Sequence, residues 1–328
     1  GVQTCALPIS GYMARVSFIM DKMLRGLGLS GKSIVPLLSG AACAIPAIMS
    51  TRNIENWKDR LITIMVTPLM SCSARLPVYT LLISMAIPST LILGFINLQA
   101  LVMLAMYVLG TVAALIAAVV FKWIIKHDIP SYFIMELPVY HVPRWKNIWQ
   151  TCWQKSLSFI TEAGKVILLV SIVLWFLASY GPDGESGFSV KESVNLEESY
   201  AGHFGKGIEP AIRPLGFNWK IGISLITSFA AREVFVGTMS TIYSIGDEDN
   251  FDQLRDKMNK DTLPNGEPVY SIAVVLSLMV FYAFAMQCMS TLAVVYRETK
   301  SWKWPAIQFV YMTALAYLGS WVVFNLFR

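Results

Sequence analysis

The chain has 328 residues, of which 55% are hydrophobic and 14% charged, and its mean hydropathy is +0.56. Soluble globular proteins carry about 25% charged residues, so the composition excludes a soluble enzyme and indicates an integral membrane protein. The net charge of +5 is scattered through loops, which removes nucleic acid as a partner, and five cysteines without regular spacing do not form a disulfide framework.

Residues 1–10, GVQTCALPIS, break off abruptly before GYMARVSFIMDKMLRGLGL and read as a truncated or non-native leader, so Cys5 receives no functional weight. From Gly11 to Leu29 the apolar spacing predicts an amphipathic helix at the membrane surface, ending at Gly26, Gly28 and Gly31. Ile34–Met49 is a short apolar segment interrupted by Gly40 and Pro46. A charged turn follows, and then Leu61–Ala86 is interrupted by Pro68, Pro77 and Arg75.

The runs Leu98–Val120, Val166–Tyr180, Ile221–Tyr243, Ser271–Val295 and Ala306–Phe327 approach or exceed the length needed to span a bilayer. Between the first two lie a proline-rich connector, residues 129–143, and an amphipathic stretch, Trp145–Gly164. Lys122–Lys165 carries six basic and three acidic residues, whereas the polar loop Gly181–Trp219 carries three basic and six acidic. The excess of basic residues assigns the former to the cytoplasm and the latter to the outside. If both Ile221–Tyr243 and Ser271–Val295 crossed fully, the basic RETKSWK segment would fall outside, so one of them is expected to be re-entrant. The expected organisation is a first unit over 11–95, a central membrane segment over 96–180, an extracytoplasmic loop over 181–219 and a second unit over 220–328.

An internal echo connects the outer parts. SGAAC at Ser39–Cys43 resembles SFAAR at Ser228–Arg232, and CSARLPV at Cys72–Val78 resembles CMSTLAV at Cys288–Val294. Broken segments repeated in two halves are where transporter sites form. Cys43 and Cys288 each lie where an apolar helix is interrupted, and Met70, Cys72 and Met289 add soft donors beside those interruptions. Glu233, in AAREVFVGT, places a carboxylate in an apolar stretch next to Arg232. It can supply charge to a cation, or its neighbour Arg232 and the buried-looking Arg75 can simply lock helices together. The three histidines, His127, His141 and His203, fall outside the apolar cores.

GLGLSGKS, Gly26–Ser33, satisfies the phosphate-loop pattern letter by letter. A phosphate loop needs a strand before it and a helix N-terminus after it. Here an amphipathic helix precedes it, so Lys32 is read as an interfacial anchor. No hydrolase, zinc-protease or dithiol motif occurs, which leaves passage rather than bond breaking as the expected work.

GYMARVSFIMDKM, GKSIVPLLSGAACAIPAIMSTR, PLMSCSARLPVY, MELPVY, IEPAIRPLGFNWKIGISLITSFAAREVFVGTMSTIY and CMSTLAVVYRETKSWKW together resemble the membrane region of ferrous iron transport protein B, over Gly11–Arg328. The resemblance implies an all-α polytopic membrane protein of the bacterial inner membrane, with two gate-type helical repeats containing broken or re-entrant helices. It also implies Fe2+ as transported substrate with no permanently bound cofactor. GTP would act only through an N-terminal G-protein domain, which this chain lacks. Small Feo accessory proteins and a homo-oligomer are further implied partners, alongside the lipid bilayer. The family's first-gate cysteine falls on Cys43 and its second-gate cysteine on Cys288. The expected metal path is therefore a Cys43–Cys288 thiol pair with Cys72, Met70, Met289 and Glu233 as secondary contacts. A nucleoside or other organic-solute transporter with gate-type repeats, and a non-transporting membrane scaffold, remain as alternatives.

Overall fold

The computed structural model describes residues 12–88, 90–92, 96–125, 145–165, 168–169, 172, 200–229, 232, 234–243, 251–262, 268–286 and 288–328. Leu91–Ile92 (β1) and Ile96–Asn97 (β2) form a short antiparallel pair in which Leu91 faces Asn97 and Ile92 faces Ile96. The other named elements among the described residues are helical.

The helices come in two matching series. The first runs from the amphipathic α1 (Tyr12–Gly26) through the short pair α2 (Ile34–Gly40) and α3 (Ala44–Ser50). It continues with the interrupted pair α4 (Trp57–Val66) and α5 (Leu76–Ala86) and closes with the long α6 (Leu98–Ile124). After α7 (Trp145–Phe159) the order repeats with the amphipathic α8 (Tyr200–Ile212) and the short pair α9 (Trp219–Thr227) and α10 (Val234–Ile242). A short surface helix, α11 (Phe251–Lys260), is inserted before the interrupted pair α12 (Ile272–Phe284) and α13 (Met289–Thr299) and the long α14 (Lys303–Phe327). The sequence echoes fall at equivalent points of the two series, one at the tip of each short pair and one at the break of each interrupted pair.

Local chemistry accounts for several of these starts and stops. Asn56, Asn218 and Ser271 cap α4, α9 and α12 by accepting from the amides of Lys58, Ile221 and Val274. Pro68 and Pro77 each open a new helical turn, where a missing amide hydrogen is tolerated. Pro46, read from sequence as a break, instead lies inside the first turn of α3, and the interruption falls at Ala41–Cys43. Ile221–Tyr243 is not one spanning helix but the pair α9 and α10. Four stretches are long and apolar enough to cross a membrane among the described residues: Trp57–Ala86, Leu98–Ile124, Ile272–Thr299 and Lys303–Phe327. Val166–Tyr180 lies almost wholly outside the described residues. Part of the segment read as an extracytoplasmic loop is helical, since it contains α8.

The chain divides into two compact units that exchange segments. The first comprises residues up to 73, 109–166 and 290–308; the second comprises 74–108, 167–289 and 309–328. The divisions after Ser73 and Met289 fall at equivalent places, one residue past Cys72 and one past Cys288. The first unit thus holds α13 from the second series, and the second unit holds α5 from the first.

Within the first unit, the buried Glu298 carboxylate at the end of α13 pairs with Arg60 on α4 at 2.6 Å and with Arg52 at 2.5 Å. The end of α13 thus lies beside the start of α4. Gln308, in the second turn of α14, reaches the carbonyls of Ile64 and Met65 near the end of α4. Lys122, near the end of α6, donates to the carbonyls of Arg25 and Gly26.

In the second unit, α5 packs against α10, α11 and α12. Ser277 on α12 and Ser320 on α14 are locked by a 2.6 Å hydroxyl contact, and Ser277 Oγ also donates to the Leu215 carbonyl at 3.2 Å. Small hydroxyl residues let helices approach closely where lipid provides no hydrophobic drive.

Candidate functional site

The first unit brings three of the predicted sulfur residues to one interrupted region. α2 ends at Gly40 and α3 starts at Ala44, with Cys43 between them in extended conformation as the N-cap residue. The second interruption, Met70–Cys72, lies against the first. Ser73 donates to the Ala42 carbonyl through its backbone amide at 3.3 Å and its hydroxyl at 2.9 Å. A Cβ at Gly40 would lie 3.5 Å from Met70 Cβ, so Met70 also borders this region. Cys43, Met70 and Cys72 are half-buried, and Cys43 and Cys72 form no disulfide.

Two features hold this irregular backbone in place. Pro68 has no amide hydrogen, so the Ile64 carbonyl lacks the partner it would have in a continuous helix. Gln308 Nε2 fills that vacancy, donating to Ile64 and Met65 carbonyls at 3.2 Å each. Gln308 is fully buried, and among the described residues its Oε1 has no hydrogen-bond partner. From the other side, Gly110 on α6 lets the helix backbone meet the interruption: a Cβ there would come within 2.6 Å of Ser71 Oγ and 3.1 Å of the Leu69 carbonyl. Backbone outside a helix at membrane depth survives only with such protein partners.

The second unit contains the counterpart. The Met289 amide donates to the Phe229 carbonyl at 3.1 Å, so the residue after Cys288 is tied to the tip of α9–α10 much as Ser73 is tied to Ala42. Thr227 and Thr238 hydroxyls, 2.8 Å apart, pin α9 to α10. Arg232 is buried and donates to the carbonyls of Tyr282 at 3.4 Å and Ala285 at 3.2 Å. It satisfies the frayed end of α12 with a charge suited to a helix C-terminus, which favours the helix-locking reading of this arginine. Cys288 is half-buried, and Met289 is 40% exposed. Glu233 lies outside the described residues, as do His127 and His141. Cys43 and Cys288 belong to different units. Among the described residues no three His, Cys, Asp or Glu side chains converge as a closed metal site.

The phosphate-loop letters at Gly26–Ser33 form no phosphate cradle. Gly26 ends α1, Gly28 turns the chain with φ of +85°, and the Gly31 amide is already given to the Asp21 carboxylate at 2.8 Å. Lys32 pairs with Glu55 at 2.7 Å and thereby lowers the Glu55 carboxyl from its ordinary range. A carboxylate occupying the turn repels phosphate.

Reading the sequence missed Gln308, Gly110 and the Glu298 pairs. One polar amide in the first turns of an apolar helix was the available signal for Gln308. Nothing in the order of residues connects Glu298 to Arg52.

Comparison with known proteins agrees with this architecture. The Gate family, described as nucleoside recognition, matches residues 6–86 and 160–302. The chain belongs to the Gate family. The ferrous iron transport protein B C-terminal model matches residues 103–155, which cover most of α6 and much of α7, so the chain combines Gate repeats with that membrane region. The Fe(2+) transporter FeoB of Leptospira interrogans serogroup Icterohaemorrhagiae serovar copenhageni is 50% identical over 324 residues, covering 97% of this chain and 46% of the relative. The Staphylococcus aureus (strain MSSA476) Fe(2+) transporter FeoB is 38% identical over 97% of this chain and 44% of its own length. A Fe(2+) transport protein A/Fe(2+) transporter FeoB fusion protein from Porphyromonas gingivalis is 38% identical over 97% of this chain and 40% of its own length. The chain spans less than half the length of these relatives. No solved structure matches.

Proposed function

We propose that the chain forms a path for iron(II) across the bacterial inner membrane, with Cys43, Cys72 and Met70 at one interruption and Cys288 and Met289 at its counterpart acting as successive ligands. Glu233 is a further contact on this path. The observation that carries the reading is the joining of the Cys43 and Cys72 interruptions through the Ala42 carbonyl, repeated in kind at Phe229 and Met289. Iron(II) is of intermediate softness, so thiolate, thioether and carboxylate donors suit it. Open, separate sites favour conduction over storage, because an ion must leave as readily as it enters.

That the relatives are Fe(2+) transporters supports iron as cargo. The end of the first unit that carries Lys32, Arg52, Arg60, Lys122, Arg297 and Lys303 is assigned to the cytoplasm by its basic excess. The RETKSWK segment then lies inside, because α9–α10 turns back instead of crossing. A G-protein domain would act on this cytoplasmic end, and small accessory proteins are consistent with the fused Porphyromonas relative.

The test is anaerobic iron(II) uptake into proteoliposomes. Cys43→Ser, Cys72→Ser and Cys288→Ser are each expected to reduce uptake at least tenfold while insertion and unfolding stay unchanged. Uptake at the wild-type rate by all three would falsify the thiol path. Because the Gate family is described by nucleoside recognition, labelled nucleoside serves as the competing cargo, and thiol-independent nucleoside uptake would favour that reading.

A further inference from the structure

α7 presents three chemically different sides. Trp145, Trp149, Trp153 and Leu157 recur at every fourth position, which spreads them over an arc of about 120° on one side of the helix. All four are exposed, the tryptophans at 79, 72 and 61%. Asn147, Gln150 and Gln154 gather on a second side, roughly 110° round the axis, and they too are exposed. On the third side Ile148 is 4% exposed and Cys152 is half-buried, so this is the side that faces protein.

Neither water nor hydrocarbon suits both exposed sides. Three tryptophans at these exposures make an apolar patch of roughly 400 Å², a size at which patches on soluble surfaces mark interaction sites. In hydrocarbon, the Asn147, Gln150 and Gln154 amides would each forfeit their hydrogen bonds to water. The helix is also short: fifteen residues rise about 22 Å, against a hydrocarbon core of about 30 Å. A helix lying flat at the boundary meets both demands, with the tryptophans at headgroup depth and the amides in water. In sequence, α7 leads through a π-helical turn, Ile160–Gly164, into the apolar run Val166–Tyr180, as a surface helix joined to a membrane segment would. Charge selects the lipid. The charged residues of Trp145–Phe159 are Lys146 and Lys155, with no acidic residue among them, so the helix complements anionic headgroups.

We propose that α7 lies in the headgroup boundary of the cytoplasmic leaflet and binds anionic phospholipid through its tryptophan side and the lysines at positions 146 and 155. The choice of leaflet rests on the basic excess that assigns this part of the chain to the cytoplasm; the lipid site itself is independent of the cargo.

The test uses the full chain labelled with fluorotryptophan in phosphatidylcholine nanodiscs and read by fluorine NMR. The Trp149 and Trp153 resonances are assigned by their loss in Trp149→Phe and Trp153→Phe. Both are expected to broaden with a phospholipid carrying a nitroxide near its headgroup, and far less with a nitroxide at the acyl end or with a water-soluble gadolinium chelate. Nitroxide-labelled phosphatidylglycerol, at the same trace fraction as labelled phosphatidylcholine, should broaden them about fivefold more, the factor that one lysine supplies at an anionic surface. That preference should fall toward one in the Lys146→Glu, Lys155→Glu double variant. It should fall likewise at high salt in the unmodified protein, a measurement that needs no variant to fold. Dominant broadening by the chelate would place the face in water, and dominant broadening by the acyl-end label would make α7 a spanning helix; either overturns the proposal. Protection from all three probes would mean that a second copy or another protein domain covers the face, which also overturns it. Equal broadening by the two labelled lipids would overturn the anionic site.

Discussion

Replacing Gln308 by Leu tests whether the interruption after α4 is held open by a side chain from another helix. The wild-type amide makes two 3.2 Å hydrogen bonds to the Ile64 and Met65 carbonyls. Each neutral bond contributes about 1 kcal/mol. Leucine also removes the partnerless Oε1, which returns about 1 kcal/mol of desolvation. The net cost is therefore about 1 kcal/mol. In the Pro68→Ala background a restored amide hydrogen can pair with Ile64 and take over part of the work of Gln308. There the Gln308→Leu cost should fall by about 1 kcal/mol. Equilibrium unfolding by SDS in mixed micelles, run as a double-mutant cycle, measures this coupling. Additivity of the two substitutions within about 0.3 kcal/mol would refute the idea that Gln308 substitutes for the missing proline donor.

Two further outcomes follow from the same unit. Glu298→Gln should cost about 2 kcal/mol in the unfolding assay, below the full cost of breaking a buried pair because Arg52 can turn to water; Glu55→Gln, at an exposed pair, should cost nothing measurable. Gly110→Ala should destabilise by about 1–3 kcal/mol through overpacking against Leu69 and Ser71, and Ser71→Ala in that background should recover part of the loss; a Gly110→Ala protein as stable as wild type would contradict the close approach.

The membrane class, the all-α architecture and the approximate places of interruption were legible because apolar runs, prolines and small residues act locally. The faint SGAAC and CSARLPV echoes pointed to a repeat that the helix order bears out. Pro46 misled because a proline breaks a helix only when a preceding turn needs its hydrogen, and in the first turn of α3 none does. The phosphate-loop letters were discounted correctly from their context, and Asp21 supplies the physical reason. What could not be read were interactions between residues far apart in the chain. Arg52 and Arg60 seemed ordinary loop charges until the fold set Glu298 between them, and Gln308 gains its meaning only beside Pro68.

The exchange of α5 and α13 also constrains how the protein is made. When the ribosome has finished the first series, α5 has emerged, but α10, α11 and α12, against which it packs, have yet to be synthesised. The first series must therefore wait in the membrane with an incomplete partner set, exposed to insertion factors and quality-control proteases, until the second series arrives. Maturation is consequently a single late event for both halves, and a stall in translation between them strands the first half with α5 unpaired.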